Sequence, residues 1–177
     1  MQIREGGLLI AHPTNSHPNR VNQVIYITES NAINTTGLIL NNPSTVDLAE
    51  LLKLKGINWC NPDQLYIGGD HEPNAMVMLH SDEWYSSNTM QIDNYWSISS
   101  DTFMMEKLAM DNTPEWYRLF AGYEAWDAQD LEHQLRSVRP EWLLLAKPSQ
   151  VLIELADANV WHNAVAEYSQ DVFSSYI

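Results

Sequence analysis

One cysteine in 177 residues, Cys60, excludes an internal disulfide and any zinc site built from several thiolates. No cationic residue adjoins it to lower its pKa, so it reads as a small, partly buried loop thiol and not as a nucleophile. Positive charge is also scarce. Nine Lys and Arg face 23 Asp and Glu, a formal net charge of −14. Gripping duplex DNA requires a concentrated basic surface, because counterion release drives that affinity. The cations here are scattered, with Arg136 and Arg139 the nearest pair in a region of interest, so direct nucleic-acid binding is disfavoured. The acidity suits solubility, or attraction to a basic protein partner.

Long hydrophobic runs are missing too. None approaches the roughly 20 residues of a membrane-spanning helix, and Leu8 to Ala11 is too short for a signal-peptide core. The expectation is a cytoplasmic protein with no membrane association. No G-x-x-x-x-G-K-[ST] phosphate loop, G-x-G-x-x-G turn, H-E-x-x-H helix or G-x-S-x-G elbow occurs. The common catalytic routes are thereby removed, and no cofactor or metal is expected.

What is present is an ordinary globular composition, 45% hydrophobic, with no repeat or linker to divide residues 1–177 into more than a single domain. Leu8 to Ala11, Val21 to Thr28, Thr35 to Leu40, Leu65 to Ile67, Ala75 to Leu79, Thr89 to Ile92, Tyr95 to Ile98, Trp116 to Tyr123, Glu141 to Ala146 and Gln150 to Leu155 read as strands. Gly37 marks a bulge or a close backbone approach. Helices are expected behind Ser44, with Leu48, Leu51 and Leu52 inward, and behind Ser100, with Phe103, Met104 and Leu108 inward. Another follows Asp127, with Leu131, Leu135 and Val138 inward, and the last carries Trp161, Ala164, Val165 and Tyr168 on one face. Strands outnumber helices and do not alternate with them, which argues α+β.

Two clusters are candidates for chemistry or contact. In Gly68-Gly69-Asp70-His71-Glu72, paired glycines let a ligand approach the backbone, and Asp70 and His71 could tune each other for acid/base work. His80, at the end of the next strand, would join them if the strands form a hairpin. These three, Asp70, His71 and His80, are the residues an enzyme or metal site would use. The alternative is a solvated turn followed by a strand-end histidine. If their strands run antiparallel, His12 and Glu29 end on opposite edges and make no dyad, which leaves them turn and surface roles. In Gly122-Tyr123-Glu124-Ala125-Trp126-Asp127, Gly122 permits close packing or an unusual dihedral as a strand exits. Tyr123 and Trp126 bring amphipathic surface, and Asp127 opens a helix. This block is either a strand-to-helix corner or, with Gly68 and Gly69, the floor of a partner groove. Trp59, Trp84 and Trp96 sit in polar, loop-like contexts and would be contact anchors if exposed.

The blocks Gly7-Leu8-Leu9-Ile10-Ala11-His12-Pro13, Thr36-Gly37-Leu38-Ile39-Leu40-Asn41-Asn42-Pro43, Ile67-Gly68-Gly69 to His80, and Gly122 to Glu132, in this order, resemble the YqgE/AlgH family. The resemblance spans Gly6 to about Tyr168. It implies a bifurcated, mostly antiparallel β-sheet folded into a pseudo-barrel with peripheral helices. Members carry the label of transcriptional regulator without an agreed activity, so the resemblance implies a non-enzymatic protein that regulates indirectly through protein contacts. Framework residues match, but polar ones depart. Ser30 stands where the family has His, Asn42 where it has Arg, Asp70 where it has Pro, and Glu124-Ala125 where it has Ala-Gly.

Overall fold

The computed structural model describes residues 2–15 and 17–177. In chain order the elements are β1 (Leu8–Ala11), β2 (Val24–Ser30), β3 (Asn34–Ile39), α1 (Leu48–Leu54), β4 (Leu65–Ile67), β5 (His71–Ser81), β6 (Met90–Gln91), β7 (Trp96–Ser99), α2 (Thr102–Ala109), β8 (Tyr117–Asp127), α3 (Ala128–Arg136), β9 (Trp142–Leu145), α4 (Gln150–Glu154) and α5 (Val160–Ser174). This mixture, with a predominantly antiparallel sheet, is the α+β class expected. The chain packs as two units, one comprising residues up to Asn41 with Glu124–Ile177, the other Asn42–Tyr123.

In the first unit the strand order is β8–β3–β2–β1–β9, every pair antiparallel. Its core gathers Leu9, Ile25, Ile27 and Ile39 from the strands with Trp126, Leu131, Leu135 and Trp142. Gly37 has the close approach its position predicts. A Cβ there would lie 2.7 Å from Ile25 Cγ2 and 2.8 Å from the Tyr26 carbonyl oxygen, and the register slips opposite, between Ile27 and Glu29. Asp127 ends β8 and caps α3, its carboxylate accepting the Gln129 amide at 3.0 Å.

The second unit orders β6–β7–β5–β8, again antiparallel, with β4 alone running parallel to β8 on its other side. Leu48, Leu52, Trp59, Leu65, Met78, Trp84, Met104, Met105, Leu108 and Leu119 form its core. Between β5 and β8 the ladder breaks. His71 pairs with Tyr123 and Met76 with Ala121, so Glu72, Pro73, Asn74 and Ala75 bulge opposite Gly122.

Several expectations are corrected. Gln150 to Leu155 is not a strand but contains α4, because Ser149 caps a helical turn and is itself anchored through its amide and hydroxyl on Glu167. The caps of α1 and α2 are Asp47 and Asp101, not Ser44 and Ser100. Phe103 is half exposed while Met105 turns inward. Val138 is fully exposed, since α3 stops at Arg136. Trp59, Trp84 and Trp96 are only 7%, 7% and 2% exposed. Their polar neighbours face outward while the indoles pack inward: Trp84 Nε1 donates to Asn112 at 3.1 Å, and Trp96 meets Trp116 edge-on at 4.9 Å. Cys60, by contrast, is exposed.

Candidate functional site

The second unit carries an open groove of about 760 Å3. Its walls come from three segments far apart in sequence. Leu52, Lys55, Gly56, Ile57 and Asn58 supply the C-terminal end of α1 and the loop after it. Asn74, Ala75 and Met76 leave the bulge of β5, and one face of α2 with its two ends, from Ser100 and Asp101 to Met105, Glu106 and Met110, closes the other side. Local causes set each wall. Gly56, at φ +76°, ends α1 in the left-handed conformation that glycine adopts without penalty. Asp101 holds the start of α2: its carboxylate accepts the Met104 amide and the Ser86 hydroxyl, both at 2.7 Å, and the Asn88 amide at 3.2 Å. Burial opposes its charge, yet these hydrogen bonds and the nearby Lys107 hold Asp101 below the usual carboxylate range. Asp101 thus enters the groove wall with its carboxylate already bonded, and Met76, Met105 and Met110 add a soft apolar lining.

Of the residues expected to carry chemistry, His80 is fully buried. Nδ1 lies 2.8 Å from the Ser81 carbonyl, which can only accept, so this nitrogen carries the proton. Nε2 then accepts the Ser99 hydroxyl at 2.8 Å, Ser99 Oγ accepts from Thr89 at 2.6 Å, and Thr89 Oγ1 accepts the Ser86 amide at 2.7 Å. Burial lowers the His80 pKa and keeps the ring neutral. A serine bonded to an imidazole resembles a nucleophile with its base. Ser99, however, is 1% exposed, so no substrate carbonyl can reach it.

His71 and His80 stand at opposite ends of β5, level with Tyr123 and Tyr117 of β8. That separates them by roughly 20 Å, so they do not meet on one ligand. Asp70 and His71 are exposed. The His71 ring lies edge-on to Tyr123 at 4.9 Å, and burial together with the Glu72 carboxylate raises the Tyr123 pKa. Among the described residues no three His, Cys, Asp or Glu side chains converge as a metal site requires. Gly68 and Gly69 are buried, the latter's carbonyl against Gly122.

In the first unit Trp126 is 7% exposed and packs edge-on to Trp142 at 6.2 Å. The Arg20 guanidinium lies 5.2 Å from the Trp142 ring and 6.0 Å from that of Trp126, and 3.6 Å from Glu124 Oε2. Trp126 therefore offers a partner almost no surface. Nothing in the local sequence foretold the α1–α2 groove, because its walls come from segments far apart in the chain.

The mostly antiparallel strand order with its accompanying helices defines an α+β fold. The AlgH-like family model matches residues 8–172, and the chain belongs to that family. A UPF0301 protein of Desulfotalea psychrophila is 28% identical over 85% of this chain and 80% of its own length. One from a Marinomonas species is 31% identical over 81% and 78%. The solution structure of the AlgH protein from Pseudomonas aeruginosa superposes with a TM-score of 0.78 at 24% identity, covering 95% of this chain and 92% of its own. At that identity the likeness speaks for the fold.

Proposed function

We propose that this AlgH-like protein is a non-enzymatic binding module, and that it regulates indirectly by holding an apolar segment of a basic protein partner in the α1–α2 groove. The observation that carries the reading is the methionine-lined groove itself. Unbranched thioether side chains adapt to varied partner surfaces, and the groove is a concave surface of mixed apolar and polar lining where such a segment would seat. Two further facts support it. The residues best suited to catalysis are spent on internal bonds, as with His80, or stand apart, as with His71. A net charge of −14 raises the encounter rate of a basic partner and repels polyanions.

Met110 is the natural probe, because it lines the groove yet is 81% exposed and can be changed without opening the core. Affinity capture from native lysate with the wild type is expected to recover a basic protein. Met110→Glu should retain less of it and Met110→Lys least, since lysine removes apolar contact and adds like charge. Identical recovery with all three proteins would overturn the assignment to this groove.

A further inference from the structure

We infer that the chain His80–Ser99–Thr89–Ser86 is a reversible hydrogen-bond relay, which carries the protonation of His80 to the start of α2 and so to one wall of the groove. The relay is complete in either direction. With a neutral ring, Ser99 donates to Nε2, Thr89 donates to Ser99, and Thr89 Oγ1 accepts the Ser86 amide. A proton added at Nε2 turns that atom from acceptor into donor. Ser99 then accepts from the ring and donates to Thr89, whose own hydrogen needs a new acceptor. The Ser86 carbonyl, 3.5 Å from Thr89 Oγ1, is that acceptor. Nδ1 donates to the Ser81 carbonyl in both states. The charged ring therefore leaves no donor of the chain unpaired.

The two directions differ at the outer end. A hydroxyl bond prefers about 2.7–2.8 Å, so reversal draws Thr89 and the Ser86 carbonyl together by roughly 0.7 Å. That turn is tied to α2. Ser86 Oγ donates to Asp101 Oδ1 at 2.7 Å, the same oxygen that accepts the Met104 amide. Asn88 donates its amide to Asp101 Oδ2 at 3.2 Å and exchanges two bonds with Ser100, at 2.9 and 3.0 Å. Ser100, Asp101 and Thr102 line the groove. The relay thus runs from a buried imidazole to a half-buried turn that holds the helix start. Around the ring stand Asp82 and Glu83 after β5, and Tyr117 opposite it on β8, with Asp63 bonded to that phenol. Lys107 of α2 lies over the Trp84 ring, which meets the imidazole edge-on at 5.2 Å. β7 contributes Ser97 and Ser99, which carry no charge. Asp82 and Glu83 favour the imidazolium and burial opposes it more strongly, so reversal belongs to acid, below pH 6.5.

An NMR titration of the full chain from about pH 7.5 to about pH 4.5 reads both ends, through the His80 ring carbon and the Asn88 and Met104 amides. Asp101 keeps its charge across this range, because its pKa lies below 3.8. The wild type is expected to show one midpoint at both ends. Thr89→Val strands the Ser99 hydrogen in the charged state, so the ring midpoint should fall by about one pH unit and the amide inflections should vanish. Thr89→Ser keeps the hydroxyl and should restore both. Ser86→Ala leaves the links to the ring intact but cuts one tie to Asp101, so the midpoint should hold while the Met104 response shrinks by about half. A ring that stays neutral throughout, amides that do not follow it, or a Thr89→Val midpoint equal to wild type would each overturn the inference. So would a Met104 response undiminished in Ser86→Ala. Any effect on partner capture rests on the groove reading above, but the titration is read with no partner present, so either can fail alone.

Discussion

Gly122→Ala would press a methyl group into backbone that has nowhere to go. Gly122 sits at φ +70°, and its added Cβ would lie 2.5 Å from the Gly69 carbonyl oxygen, 3.0 Å from that of His71 and 3.2 Å from Pro73 Cα. All three are main-chain atoms, held by the β4–β8 and β5–β8 pairings on either side. Left-handed backbone costs an L-residue about 1–2 kcal/mol, and overpacking adds about 1–3 kcal/mol. The sum is about 2–5 kcal/mol, which for a chain of this length lowers Tm by roughly 10 °C. Gly56→Ala is the matched control, because Gly56 has φ +76° but no atom within 4 Å of its Cβ. It should lose only the dihedral share, roughly 4 °C. Thermal melts followed by circular dichroism separate the two. Equal shifts would refute the argument, since the crowding at Gly122 would then cost nothing. Because Asn74, Ala75 and Met76 leave the bulge opposite Gly122 to line the groove, Gly122→Ala should also weaken partner capture at temperatures where the protein remains folded.

Acid should expose the buried imidazole. Since the folded-state pKa of His80 lies below its ordinary 6.5, the unfolded chain binds the proton more readily. The corresponding stability is whole above pH 6.5 and is lost as pH falls below it. Urea midpoints at about pH 7.5 and about pH 5.5 should therefore differ more for wild type than for His80→Gln, and an equal drop would contradict the assignment. In the first unit, Arg20→Ala should cost about 1–2 kcal/mol by uncovering the Trp142 and Trp126 faces. Arg20→Lys should recover only part of this, because an ammonium does not stack as a guanidinium does. Full recovery in a thermal melt would argue that only the charge facing Glu124 matters.

Much of the fold was legible because it rests on short-range signals. Leu8 to Ala11 is apolar and stopped by His12-Pro13, and it is β1 to the residue. Asp127 before Ala128 reads as a cap and is one. Gly37 and Gly122 sit where a side chain would strike backbone. The failures are equally physical. Val151, Leu152 and Ile153 look like a strand by composition, but Pro148-Ser149 starts a helix there and tertiary packing keeps it. Trp59, Trp84 and Trp96 have polar neighbours in sequence, yet strand alternation and loop packing turn the rings inward. The groove could not be read at all. Its walls come from residues 52–58, 74–76 and 100–110, and no local spacing brings those together.

The most direct test of partner docking is a photo-crosslinking amino acid placed at Met110 in cells, with Tyr176 as the matched exposed control position. A recurrent basic protein crosslinked from position 110 and not from position 176 is the predicted result. Crosslinking with no preference between the two positions, or none from position 110, would contradict the account.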